Sequence, residues 1–327
     1  MKSDRIAWVD MLRGFCIISI LWFHTEMYYA GEDIIPYALY VEDVLAVFFF
    51  LSGYVMHNVE KDDYKRMLRS VFRWLFVPYV VFTSLLALPK ALAHNSFDGF
   101  WPIIVDILTG HASWFVSSLI VAKLFYISLI FFFKPSSRLL SVSGAVAFLL
   151  SALIGNNESP WHYKSDIWCI NEAFLGFSLM TAGMLFRRYE DFIVKRLYSL
   201  SGYLLLLFLV LITKYLILTL NMQMVFGPII VSNYPLFLLN LAVCVLLIVG
   251  VFMRLPNNNL LEWVGRHSIV YYFFCGGCPL LISIGLNHLG FDYKCYAQMP
   301  LVWGLVFAFS SLLVALVYRY TNIVRRA

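Results

Sequence analysis

Asp10, Arg13 and His24 lie in one stretch, DMLRGFCIISILWFH, whose remaining residues would suit a plain membrane anchor. An ionisable side chain at the centre of a bilayer span costs about 3 kcal/mol on insertion scales, so such residues mark a site or a path. Arg13 and His24 are eleven residues apart. At about 100° per residue that separation returns the chain to nearly the same helical face, roughly 16 Å along the axis. Asp10 sits one turn before Arg13 on the same side. A guanidinium at one end can hold an anion or a developing oxyanion, and an imidazole at the other can take a proton from a hydroxyl. Glu42 and Asp43 begin the next apolar segment. If the two segments pack as a hairpin, these carboxylates reach the level of His24, and Asp43 is the expected partner that fixes its tautomer and raises its basicity.

Arg66, Arg69 and Arg73 follow at i, i+3 and i+7, which places them on one helical face. Guanidinium forks match phosphate groups, so this face can hold an anionic donor such as coenzyme A. The same residues would serve equally as cytoplasmic anchors or lipid head-group contacts. Glu172 is a further site candidate inside an apolar segment, where Lys123 and Lys214 either snorkel or pair with a carboxylate. Cys275-Gly-Gly-Cys278 has CxxC spacing, yet a structural zinc needs four ligands and no second pair accompanies it. No metal is expected, and the small residues read as easing helix packing. The six cysteines form no disulfide framework.

The elements that must position these groups are apolar helices. The 327 residues are 61% hydrophobic and 13% charged, with a mean hydropathy of +0.80, against about 25% charged in soluble domains. This predicts an all-α polytopic membrane protein in one domain over 1–327. With a span of about 20 apolar residues as the ruler, ten segments emerge: 7–29, 36–57, 70–92, 114–133, 139–155, 168–186, 200–220, 231–253, 260–286 and 299–318. Pro228 and Pro235 interrupt the eighth, where Phe226 to Ser232 reads as an interfacial lead-in.

Lys2, Arg5, Lys61, Lys65, Arg66, Arg69, Lys134, Arg138, Arg187, Arg188, Lys195, Arg196, Arg254, Arg319, Arg325 and Arg326 all fall in alternate connections. The other set holds little beyond Lys164 and Lys294, with Lys90 near a helix end. The positive-inside rule then puts both termini in the cytoplasm. The first apolar run contains Arg13 and lacks a small-residue cleavage site before Tyr29, so it is expected to be retained. Topology also accounts for the net charge of +5 and removes any need for a nucleic-acid partner. His94, Asn95, Asp98, Trp101, Asp106 and His111 lie in one outer connection; Asn156, Asn157, Glu158, Trp161, His162 and Asp166 lie in another. Such mixtures suit sugar recognition and an interfacial aromatic belt alike. No internal repeat of the transporter kind is present.

Asp10-Met-Leu-Arg13-Gly14 with His24 beyond it, and Phe48-Phe-Phe-Leu-Ser52-Gly53-Tyr54, resemble the first-span and FFFLSGF motifs of the acyltransferase-3 family of integral-membrane acyltransferases. Arg66-Met-Leu-Arg69 is similar to the family's RxxR, Pro78-Tyr79 to its PY and Trp114-Phe115 to the WF that opens its fourth span. Gly265-Arg-His-Ser268-Ile-Val-Tyr271 is similar to its late G-x-x-S-x-x-Y segment. That segment usually continues to a histidine, where this chain has Cys275. The resemblance implies ten spans and O-acylation, typically O-acetylation, of bacterial surface glycans.

It further implies a plasma (inner) membrane location, acetyl-CoA as donor, His24 and Arg13 as the essential pair, and Arg66 and Arg69 on the donor side. Glu42, Glu172 and Trp114 are the candidates for contacting the acceptor, and Arg73 extends the donor face. Two alternatives stand beside this reading. An exporter would line a path with the same residues and consume no acyl-CoA, and a sensor would leave Arg13 and His24 dispensable.

Overall fold

The computed structural model describes residues 6–56, 63–93, 97–155, 167–321 and 323–324. Lys2, Arg5, Lys61, His94, Asn95, Lys164, Arg325, Arg326 and the polar residues noted in 156–166 lie outside them. Helices dominate, as the composition requires. In chain order they are α1 (Ala7–Thr25), α2 (Val41–Tyr54), α3 (Tyr64–Val71), α4 (Val77–Ala93), α5 (Phe100–Thr109), α6 (Trp114–Phe132), α7 (Ser137–Gly155) and α8 (Ile170–Arg188). There follow α9 (Glu190–Leu197), α10 (Leu200–Thr219), α11 (Tyr234–Phe252), α12 (Asn259–Arg266), α13 (Ser268–Phe274), α14 (Gly277–His288) and α15 (Met299–Tyr320). A small antiparallel hairpin of β1 (Met224–Val225) and β2 (Ile230–Val231) joins α10 to α11.

Among the described residues, eight helical stretches are long and apolar enough to cross a membrane: Ala7–Ala30, Tyr64–Leu92, His111–Phe132, Ser137–Gly155, Ile167–Arg188, Leu200–Thr219, Tyr234–Phe252 and Tyr296–Tyr320. A ninth is the pair α13 and α14, bent by 44° at Cys275 and Gly276. The tenth expected segment, 36–57, yields only the 14 residues of α2. At 1.5 Å per residue this reaches about 21 Å, short of the roughly 30 Å hydrocarbon core. Pro36 and a tight turn at Tyr37–Leu39 start it late, because its first carboxylates are drawn inward (below).

Three other expectations change. The stretch 260–286 is not one span: α12 is a separate helix, capped by the Asn258 side chain and carrying Glu262 and Arg266. The third span begins earlier, since α3 continues through a π turn at Phe72–Phe76 into α4. The connection 93–113 contains α5, a surface helix with no buried residue, tied to α4 by the Tyr79 hydroxyl donating to the Ile107 carbonyl at 2.7 Å.

The bundle is organised around α1, which packs on α2, α11, α12, α13, α14 and α15. Its tightest crossing is with α12. A Cβ on Gly14 would overlap the Leu261 carbonyl, and one on Gly265 would overlap the Asp10 carbonyl. The α2–α8 crossing repeats the device, with Gly53 against the Met180 carbonyl and Gly183 against the Phe50 carbonyl. Hydrocarbon gives apolar helix faces no reason to prefer each other over lipid, so close backbone approach through small residues supplies the packing energy instead. Gly265→Val should therefore destabilise the protein in detergent by about 3 kcal/mol or more. Thermal unfolding of the purified variant checks this, and an unchanged midpoint would contradict the close crossing.

Candidate active site

The two ends of α1 carry different chemistry. At the first, Asp10 lies between two guanidinium groups, with Arg13 at 3.7 Å and Arg266 Nε donating at 3.3 Å. Arg266 also pairs with Glu262 on its own helix. Trp8 meets the Tyr54 ring edge-on at 5.0 Å, and the Tyr54 hydroxyl donates to Glu190 at 3.0 Å while accepting from Arg187 at 2.6 Å. Next in the chain, Arg188 donates to Ser137 Oγ and the Pro135 carbonyl. The start of α1, the end of α2 and the end of α8 thus share one basic rim.

Arg66, Arg69 and Arg73 are all exposed. The Tyr64 ring against Phe131 at 5.0 Å sets the first turn of α3 beside the last turn of α6, which leads directly to Pro135 and Ser137 on the same rim. Arg66 pairs with Asp63 at 2.9 Å and Arg73 lies over the Trp74 ring at 5.0 Å. The π turn from Phe72 carries Arg73 as its second residue.

At the other end, His24 is half-buried among rings, with Phe23 at 5.4 Å and Tyr28 nearly parallel at 6.2 Å. Cys275 is buried at the bend between α13 and α14. The next residue, Gly276, faces the Tyr28 hydroxyl, which a Cβ there would meet at 3.8 Å. One turn before the bend, Tyr272 packs on Phe115 at 5.0 Å, and this brings in the start of α6. Trp114 packs edge-on to Phe115 at 5.7 Å and lies against Gly227 of the hairpin connection. Phe226 of that connection is wholly buried, stacked on Phe49 at 5.5 Å and tilted against Trp114 at 6.1 Å. Glu172 accepts from the Ile229 amide at 3.2 Å. What read as an interfacial lead-in to the eighth span is a hairpin folded into this end of the bundle.

The structure does not join Asp43 to His24. One Asp43 oxygen takes the Lys214 ammonium at 2.6 Å and the other accepts from Asn240 at 3.0 Å. Asn240 also donates to Glu42 at 3.1 Å, and Lys214 reaches Glu42 at 3.5 Å and the Ala38 carbonyl at 2.7 Å. Glu42 and Asn240 are completely buried. The α1–α2 hairpin does form, but Phe23 and Tyr37, with rings 5.4 Å apart, pack there in place of an imidazole–carboxylate pair. A buried carboxylate goes to the strongest cation within reach, and α10 supplies one that a local reading of α1 and α2 cannot see.

Of the predicted site residues, the fold therefore joins Trp114 and Glu172 through the hairpin, puts Arg13 at the opposite end of α1 from His24, and ties Glu42 and Asp43 to Lys214 and Asn240. Sequence reasoning missed Tyr28 and the bend at Cys275 as neighbours. The available signals were the helical i, i+4 offset of Tyr28 from His24 and the cysteine at a histidine position of the late motif.

A family model described as an acyltransferase domain, Acyl_transf_3, matches residues 6–320, essentially the whole chain. No curated protein and no solved structure matches.

Removing the cation from the Lys214 cluster leaves two buried carboxylates without it. Lys214→Met should destabilise by about 3–5 kcal/mol, and adding Asp43→Asn should recover a large part of that loss. Thermal unfolding of the single and double variants tests this; equal destabilisation in both would show that the charges are not coupled.

Proposed function

The chain belongs to the acyltransferase-3 family and is a membrane acyltransferase, and from that premise we propose that it moves an acetyl or other small acyl group from acyl-CoA to a sugar hydroxyl of a cell-surface or secreted glycan. In this reading the protein sits in the plasma (inner) membrane with both termini in the cytoplasm. The observation that carries it is the polarity of α1. Ala7–Thr25 is one unbroken helix, so Arg13 on the basic rim and His24 in the aromatic end lie roughly 16 Å apart along a shared axis.

Arg66 and Arg69 sit at the rim end, where guanidinium groups would meet the phosphates of the donor, and Arg13 lies further along the same side. The extended arm of acyl-CoA would then carry the thioester toward His24. The imidazole would take the proton of the acceptor hydroxyl as its oxygen attacks the thioester carbonyl. The new C–O bond forms, the C–S bond breaks, and the proton passes from His24 to the leaving thiolate, so the imidazole is regenerated. Trp114 and Glu172 support an acceptor-side role through their place around the same end, Glu172 by holding the hairpin rather than by facing His24.

In a deletion strain, wild-type protein should restore acyl esters on total surface glycan, and His24→Ala at an equal membrane level should restore none. Restoration by His24→Ala would remove the imidazole from the reaction. Esters unchanged by the deletion, with altered glycan export, would overturn acyl transfer to surface glycan. In membranes containing the active protein, Arg66→Ala combined with Arg69→Ala should raise the KM for acyl-CoA by about tenfold or more. An unchanged KM would place the donor phosphates elsewhere.

A further inference from the structure

We infer that Arg266 is a positioning residue for acyl transfer: by sharing the Asp10 carboxylate it keeps Asp10 from closing on Arg13, so that the Arg13 guanidinium can turn to the anionic donor. This rests on the acyl-transfer reading above. Four charged groups meet where α1 crosses α12. Asp10 Oδ1 lies 3.7 Å from Arg13 Nη1, near the limit of an ion pair, while Asp10 Oδ2 accepts from Arg266 Nε at 3.3 Å. The other arm of Arg266 is held by Glu262, one turn earlier on α12.

The carboxylates are the enclosed members of this cluster and the guanidinium groups the exposed ones. The Asp10 and Glu262 side chains are 10% and 11% exposed, against 26% for Arg13 and 39% for Arg266. An anion arriving from the rim meets the cations first. Nor do these charges hold the two helices together. Backbone contact does that, with Gly14 on the Leu261 carbonyl and Gly265 on the Asp10 carbonyl. Asn258 fixes the start of α12 separately, its side chain accepting from the Leu261 amide at 3.0 Å and its own amide donating to Met11 Sδ at 3.1 Å. The crossing and the register of α12 are therefore set without Arg266.

What Arg266 controls is how strongly Asp10 pulls on Arg13. A buried carboxylate needs a cation, and it goes to whichever it can reach. With a guanidinium on each oxygen, Asp10 divides its charge between them. With Arg266 gone, the whole of that charge falls on Arg13. The flexible arginine arm then shortens the 3.7 Å contact to a hydrogen-bonded pair. Arg13 would have to be drawn off Asp10 before it could meet the donor's anionic groups. Donor affinity would fall although Arg266 never touches the donor.

The experiment measures acyl transfer from acetyl-CoA to glycan isolated from the deletion strain. Membranes carry, at matched protein levels, wild type, Arg266→Gln, Arg266→Lys, or Arg266→Gln combined with Asp10→Asn. Arg266→Gln should raise the KM for acetyl-CoA by about fivefold or more and leave kcat within about threefold. Arg266→Lys keeps a cation on Asp10 and should hold the KM within about twofold of wild type. The double variant removes one charge of each sign and should bring the KM back to within about twofold. A residue that only supported the fold would give the reverse order, with the double variant worse than the single. An unchanged KM in Arg266→Gln, or a raised KM that Asp10→Asn fails to recover, overturns the positioning role while leaving acyl transfer intact. Should Arg266→Gln not accumulate in the membrane, the double variant decides: a wild-type KM supports the role and a fivefold higher one overturns it. A wild type that transfers no acyl group overturns the acyl-transfer reading and this inference with it.

Discussion

The Lys214 ammonium between Glu42 and Asp43 is the interaction on which one end of the bundle depends. Two carboxylates on consecutive residues cannot enter a low-dielectric interior unless a cation and hydrogen-bond donors meet them there. Lys214 and Asn240 do so from α10 and α11. The bond to the Ala38 carbonyl extends the lock to the turn before α2. α2 consequently begins at Val41 and brings Phe49 to where Phe226 of the hairpin stacks on it.

That arrangement also decides the electrostatics around His24. With the nearby carboxylates tied to Lys214, Asn240, the hairpin and the Trp22–Tyr296 pair, the imidazole keeps an aromatic environment. A catalytic base usually has an orienting acid. Here the rings of Phe23 and Tyr28 flank the imidazole. The opposite rim is organised differently, by exposed or shared guanidinium groups whose partners lie on several helices.

The bend at Cys275 and Gly276 joins these themes. Breaking a helix within a span frees backbone polar groups that hydrocarbon cannot satisfy, so breaks occur where protein or a polar ligand surrounds them. In this chain the break faces Tyr28, in the π turn Glu26–Ala30 that continues α1, one turn beyond His24. The close α1–α12 crossing just before α13 anchors that segment to the helix that carries the site.

Much of this was legible in the amino-acid sequence because hydrocarbon imposes local rules. Apolar runs of span length specify the all-helical membrane class, and the eleven-residue interval places Arg13 and His24 on one face whatever surrounds α1. Family membership was legible for the same reason, since its motifs are short and contiguous. Partner choice was not. Asp43 precedes Lys214 by well over a hundred residues, and only the packing of α2 against α10 and α11 decides that they meet. The 44° break and the inserted hairpin escaped hydropathy as well, because each is apolar enough to pass for part of a span. Periodicity fixes which residues share a helix face, whereas the identity of the face opposite depends on long-range packing that no local pattern encodes.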